Sequence, residues 1–123
     1  KKRQPSDEGR QGQAALIALA TYSELKNIIL VDEDVDIFDS DDILWAMTTR
    51  MQGDVSITHL PGIRGHQLDP SQAPDYSPSI RGNGITCKTI FDCTVPWALK
   101  SRFERAPFME VDPTPWAPEL FKK

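Results

Sequence analysis

IILVDEDVDIFDSDDILWAMTTR, residues 28–50, changes character twice within one short span, and those changes set the expected fold class. Four consecutive aliphatics, Ile28, Ile29, Leu30 and Val31, have the composition of a strand buried on both faces. The chain then turns acidic, with Asp32, Glu33, Asp34 and Asp36 crowded together. After Asp39, Ser40, Asp41 and Asp42, the apolar residues Ile43, Leu44, Met47 and Met51 recur at helical spacing. Asp39 or Ser40 is placed to cap the amides of that helix, and Asp41 and Asp42 lie where the helix dipole favours negative charge. Arg50 suits the last turn and Gly53 the stop. Strand, acidic loop and capped helix make half of a βαβ unit.

Working outward, residues 9–24 hold Ala14, Ala15, Leu16, Ile17, Ala18, Leu19, Ala20 and Tyr22, a helix composition suited to close packing on a sheet. Downstream, Val55, Ile57 and His59 read as a second short strand. Its connection to the first passes through a helix, so the pair is expected to be parallel with a right-handed crossover. Residues 60–84, LPGIRGHQLDPSQAPDYSPSIRGNG, form a long Pro- and Gly-rich loop. Loops beyond about 12–15 residues are functional or disordered. Ile63, Leu68, Tyr76 and Ile80 are candidate apolar anchors, so this loop is expected to be ordered. ITCKTIFDCTV, residues 85–95, has strand composition, and WALKSRFER, residues 97–105, can make one or two helical turns. Pro113, Pro115 and Pro118 keep the tail, residues 106–123, from forming a long helix. Trp97, Phe103, Phe108, Trp116 and Phe121 point to a tail that packs on a neighbouring domain or subunit. The expected architecture is a single α/β domain over residues 1–123, with residues 1–8 as a lead-in. Its core would be a three-layer αβα arrangement with a mixed sheet around a right-handed βαβ unit.

Bulk properties narrow the partners. The chain has 123 residues, enough for one domain, and a net charge of −4, which argues against nucleic acid or an anionic membrane as the main partner. No run approaches the ~20 apolar residues of a membrane span, and no signal peptide is legible, so a cytoplasmic setting is expected. Cys87 and Cys93 are expected to be reduced. The opening KKRQPSDEGR lacks an initiator Met, which reads as a domain cut from a longer protein.

Three clusters could carry chemistry. An EF-hand starting at Asp32 requires Gly and Glu where this chain has Ile37 and Ile43, so that reading fails. A receiver-type pocket would use Asp32 and Asp34 and would need Asp92 and Lys100 in roles that the element order does not suit. The plain alternative is that the carboxylates cap the helix and bond loop amides. The second cluster is His59, Arg64 and His66. Two His seven apart are a weak metal signal, and no metal site is expected. Arg on a Gly-rich loop can instead grip a carboxylate with two prongs, and His can bond a phenol oxygen. The third is Lys88, in mid-strand between Cys87 and Thr89. Buried, it needs an anion such as a phosphate; on an edge strand it would simply point outward. No complete catalytic set is present.

VDEDVDIFDSDDILWAMTTRM, preceded by KKRQPS and followed by the Gly/Pro loop and CKTIFDCTVP, resembles the C-terminal domain of UbiD-type decarboxylases. HLPGIRGHQLDPSQ and KTIFDCTVPWALKSRFERAPF are most similar to the gallate and protocatechuate decarboxylase branch. The resemblance implies a carboxy-lyase that decarboxylates aromatic acids with prenylated FMN, in which this domain closes over a central flavin-binding domain. The catalytic acids, the divalent metal and potassium would belong to that other domain, so this fragment would carry no catalytic residue and be inactive alone. Likewise implied is a Lys near the flavin phosphate in a K-x-x-x-D-x-T pattern, matched by Lys88, Asp92 and Thr94, with Ile90 where relatives carry Gly. Implied partners are a small aromatic acid, the N-terminal and flavin-binding domains of the same chain, and further copies in a homo-oligomer. A non-enzymatic interaction module and a receiver-like regulator are the rival readings.

Overall fold

The computed structural model describes residues 1–73, 75–76, 80, 82, 84–107, 109 and 111–117. The chain builds helix α1 (Arg10–Thr21), strand β1 (Asn27–Leu30), helix α2 (Ser40–Arg50), strand β2 (Ile57–Arg64) and strand β3 (Ile85–Asp92). Short 3₁₀ turns lie at Pro5–Asp7, Pro70–Gln72 and Trp97–Arg102. The result is a small α/β domain with a mixed three-stranded sheet.

The strand order is β1-β3-β2, with β1 parallel to β3 and β2 antiparallel to β3. This corrects the expected parallel pairing of the first two strands, which are separated by β3. The reason lies in the long loop. It leaves β2 and enters β3 at the same end of their ladder, where Arg64 pairs with Ile85 and the Gly65 amide donates to the Gly84 carbonyl at 2.8 Å. A loop that closes in this way forces its flanking strands antiparallel. It also takes the central position away from β1. As an edge strand, β1 alternates, with Ile28 and Leu30 half-buried and Ile29 40% exposed, and is not covered on both faces among the described residues.

The loop is shorter than its sequence promises. Leu60 to Arg64 belong to β2, and a bulge between Leu60 and Ile63 accommodates Pro61 on this edge strand. Of the four expected loop anchors only Ile80 is buried; Ile63, Leu68 and Tyr76 are exposed.

Two small cores hold the sheet. Ala15 and Leu19 of α1 pack on Ile90, joined by Leu25, Ile28, Leu30 and Leu60. Alanine on the inner face brings α1 close to the strands, as its composition promised. Val35, Ala46 and Cys93 form the second core, with Ile43, Met47, Met51, Val31 and Phe91 around them. Asp39 caps α2, accepting from the Asp41 amide at 2.9 Å. That helix ends at Met51 in an extended conformation, so Gly53 is not its left-handed stop. Cys87 and Cys93 are both free thiols. At the Trp97–Arg102 turn, Trp97 and Phe103 are half-buried, and in the tail Trp116 is exposed; Phe108, Pro118 and Phe121 lie outside the described residues.

Candidate functional site

The acidic loop is occupied by its own protein. Arg50, whose side chain is 2% exposed, reaches back from the end of α2 and grips both oxygens of Asp34 at 2.8 and 2.5 Å. Its guanidinium is also 3.7 Å from Asp32, which accepts the Val95 amide at 2.8 Å. Asp42 accepts the Asp36 amide at 2.7 Å and pairs with Arg105. Both guanidiniums lie over the Trp45 ring, at 4.8 and 4.2 Å from its centroid. Arg50 foremost holds the Asp34 carboxyl below the ordinary range, and Arg105 does the same for Asp42. The carboxylates thus cap, bond amides and pair with arginine. Asp92 is likewise engaged, accepting from the Thr94 amide and hydroxyl and from Gln11, while Lys100 donates to the Lys2 carbonyl. Among the described residues no group of three or more His, Cys, Asp or Glu is disposed to hold a metal ion.

The loop beyond β2 is different. Ser23 and Glu24, just after α1, face Arg64, Gly65, His66, Gln67 and Leu68 across a cleft of about 310 Å³. Arg64 ends β2 and is exposed; its guanidinium lies over Gly84, 3.3 Å from where a Cβ there would sit. Gly65 is required for the close approach that follows: a Cβ on it would fall 2.6 Å from Thr86 Cγ2 and 2.8 Å from Gln72 Nε2. His66 is half-buried. Its Nδ1 accepts the Leu68 amide at 3.1 Å, which leaves the proton on Nε2, directed toward Glu24 at 3.8 Å.

Three side chains that sequence reasoning missed set this loop in place. Lys26, at the foot of β1, donates to Asp69 and to the Ser71 hydroxyl, both at 2.6 Å. Asp69 also caps the Pro70–Gln72 turn through the Ser71 amide at 3.0 Å. Lys26, and after it Ser71, hold the Asp69 carboxyl far below the usual carboxylate range. Gln72, 4% exposed, accepts the Gly84 amide at 3.0 Å and so ties the middle of the loop to its β3 end. The Asp-Pro-Ser turn was legible as a cap. The reach of Lys26 across 43 residues was not.

Of the expected trio, Arg64 and His66 share the cleft, whereas His59 sits exposed on β2 opposite Thr89 and outside it. Lys88 is fully buried, which removes the outward-facing alternative. Its ammonium donates to the carbonyls of Leu19 and Tyr22, at 3.0 and 3.2 Å.

Residues 1–93 match the family described as 3-octaprenyl-4-hydroxybenzoate carboxy-lyase C-terminal domain. The chain belongs to the UbiD family. It is 54% identical over 107 residues to a gallate decarboxylase of Lactiplantibacillus plantarum, a match covering 86% of this chain and 22% of that protein. The apo structure of a 3,4-dihydroxybenzoic acid decarboxylase from Enterobacter cloacae superposes with a TM-score of 0.86 at 96% identity, over 98% of this chain and 25% of that one. The UbiD-class enzyme HmfF from Pelotomaculum thermopropionicum, solved with FMN, superposes at 0.72 with 31% identity, over 88% of this chain and 22% of that one. The chain therefore spans about a quarter or less of the length of these UbiD relatives. Lys88, the residue expected at the flavin phosphate, does not fit that group in this geometry, because its ammonium has no exposed surface and already faces two carbonyls. Among the described residues no helix is long and apolar enough to cross a membrane.

Proposed function

We propose that this chain is the C-terminal domain of a longer UbiD-type decarboxylase acting on phenolic acids such as gallate and 3,4-dihydroxybenzoate (protocatechuate). Its cleft would close over a flavin held by the rest of that protein. The family resemblance implies the prenylated form of FMN, with a divalent metal and potassium, all outside this chain. The whole enzyme is a cytoplasmic homo-oligomer in this reading, and the domain alone is inactive. Within it, a three-layer arrangement with a right-handed crossover from β1 to β3 places α1 and α2 on opposite faces of the sheet.

The observation that carries the reading is the cleft that sets Arg64 and His66 side by side on one wall. An exposed guanidinium offers paired donors to a carboxylate or to vicinal phenol oxygens. An imidazole whose Nδ1 is tied to the backbone carries Nε2–H on its Glu24 side, 3.8 Å from that carboxylate and unbonded to it, so this donor can meet a ring hydroxyl entering the cleft. Buried, such contacts distinguish a hydroxylated ring from a bare one, because a ring lacking the hydroxyl leaves the donors unpaired.

The test is decarboxylation of gallate, 3,4-dihydroxybenzoate and benzoate by the intact flavin-loaded parent chain, with Arg64→Ala, His66→Ala and His59→Ala. Arg64→Ala and His66→Ala are expected to cost at least tenfold in preference for the hydroxylated acids, on the scale of about 1.4 kcal/mol per tenfold. Unchanged selectivity in all three variants overturns the assignment of substrate contacts. A parent enzyme that decarboxylates no phenolic acid overturns the function.

A further inference from the structure

Lys88 and Asp92 lie on the same face of β3, four residues apart, and both reach α1. Asp92 accepts from Gln11 Nε2 at 3.1 Å, in the first turn of the helix. Lys88 donates to Leu19 and Tyr22 carbonyls, at its last turn and C-cap. A helix leaves its final carbonyls without internal partners, and its C-terminus carries partial negative charge. The buried ammonium meets both needs, with the carboxylate at the opposite, positive end. Burial disfavours the charged lysine and lowers its pKa, and the two carbonyls accept its hydrogen bonds.

The helix end that Lys88 holds leads directly into the cleft. After Tyr22 come Ser23 and Glu24, which line it. The Tyr22 hydroxyl donates to Glu24 Oε2 at 3.0 Å, and the other Glu24 oxygen lies 3.8 Å from His66 Nε2. The Tyr22–Glu24 hydrogen bond therefore joins the held helix end to the cleft wall, where Glu24 stands opposite His66 at 3.8 Å without bonding it.

We propose that Lys88 is a positioning residue, fixing the end of α1 and with it the Ser23 and Glu24 wall opposite Arg64 and His66, and that it does not hold a flavin phosphate. The proposal deepens the decarboxylase reading and rests on it for the meaning of the cleft, but its geometry stands without it.

Two measurements on the intact parent enzyme decide it. The first uses wild-type protein, with and without flavin, treated with an amine-acylating reagent and read by peptide mass. Lys88 is expected to stay unmodified in both states, at a dose that modifies half-exposed lysines such as Lys1. Modification in the flavin-free enzyme with protection by flavin overturns the proposal. The second uses Lys88→Met. The expected result is unchanged flavin per protein, a KM for 3,4-dihydroxybenzoate raised about tenfold, kcat within about twofold, and amides of residues 19–25 exchanging about tenfold faster. Loss of flavin with unchanged exchange overturns it, as does unchanged KM with unchanged exchange. If Lys88→Met does not fold, the wild-type labelling decides alone. A wild-type enzyme without flavin or phenolic-acid activity sinks the decarboxylase reading, while labelling and exchange still settle the clamp.

Discussion

The acidic loop and the loop after β2 are both dense in charge, yet they are organised in opposite ways. In the first, each arginine meets a carboxylate: Arg50 grips Asp34, Arg105 pairs with Asp42, and Trp45 lies beneath both. In the second, the paired groups, Lys26 with Asp69 and Gln72 with Gly84, stand behind the cleft. Arg64 and His66 line its surface. Charge density marks the scaffold in one region and, under the proposed function, the substrate site in the other. The distinguishing feature is that the arginines beside the acidic loop already meet carboxylates, although that loop also lines open clefts. Substitutions in the acidic loop should therefore cost stability without touching substrate, and those of Arg64 and His66 in the second loop should do the reverse.

The largest expected effect is at Asp34. Asp34→Ala leaves the Arg50 guanidinium buried with only Asp32, 3.7 Å away, as a carboxylate partner. Stranding a buried charge costs about 3 kcal/mol or somewhat more. Asp34 itself is 41% exposed, so the loss should sit at the low end of that range. A denaturant titration of the intact enzyme would read it. Under the comparison, KM for phenolic acids stays unchanged in the folded variant. A raised KM would mean that the acidic loop also shapes the substrate cleft.

Gly65→Ala comes next and tests the boundary between scaffold and site. The added methyl meets Thr86 Cγ2 at 2.6 Å and Gln72 Nε2 at 2.8 Å, so the strand end or the loop must shift. Overpacking of this kind costs about 1–3 kcal/mol. Because Gly65 lies between Arg64 and His66, the shift should also raise KM, unlike Asp34→Ala. Loss of stability with unaltered KM would show that the cleft geometry does not depend on this close approach.

How much of this was legible depends on the range of the interaction. The α2 cap and the Ala-rich face of α1 follow from residues close in sequence, and both are present, whereas the burial of Lys88 is decided only by the central place of β3 in the sheet. The strand order was not legible. It is set by where residues 65 and 84 meet, and a Pro/Gly-rich run does not disclose its own closure. Burial of Lys88 correctly implied a compensating partner, but helix carbonyls and a phosphate satisfy an ammonium equally well in the abstract. Only the antiparallel run of α1 along β3 brings Leu19 and Tyr22 to it. The capping role of the acidic carboxylates is one of the readings the sequence supports, but the Arg50–Asp34 pair, spanning 16 residues, was not legible.

The smallest effect belongs to Asp69, and it has a definite pH signature. Lys26 at 39% exposure makes this a largely solvated pair, worth about 0–1 kcal/mol. The folded carboxyl titrates below its unfolded value of about 3.9, chiefly because of Lys26. A group depressed on folding contributes its stability above the unfolded pKa and loses it as pH falls through the folded one. The stability difference between wild type and Asp69→Asn should therefore be flat from about pH 8 down to pH 5, and shrink only below about pH 4. A difference that changes between pH 5 and 8 would mean that some group other than Asp69 controls the loop. A KM that rises in Asp69→Asn across that flat range would show that the clamp holds Arg64 and His66 in register, the one place where a scaffold contact reaches substrate.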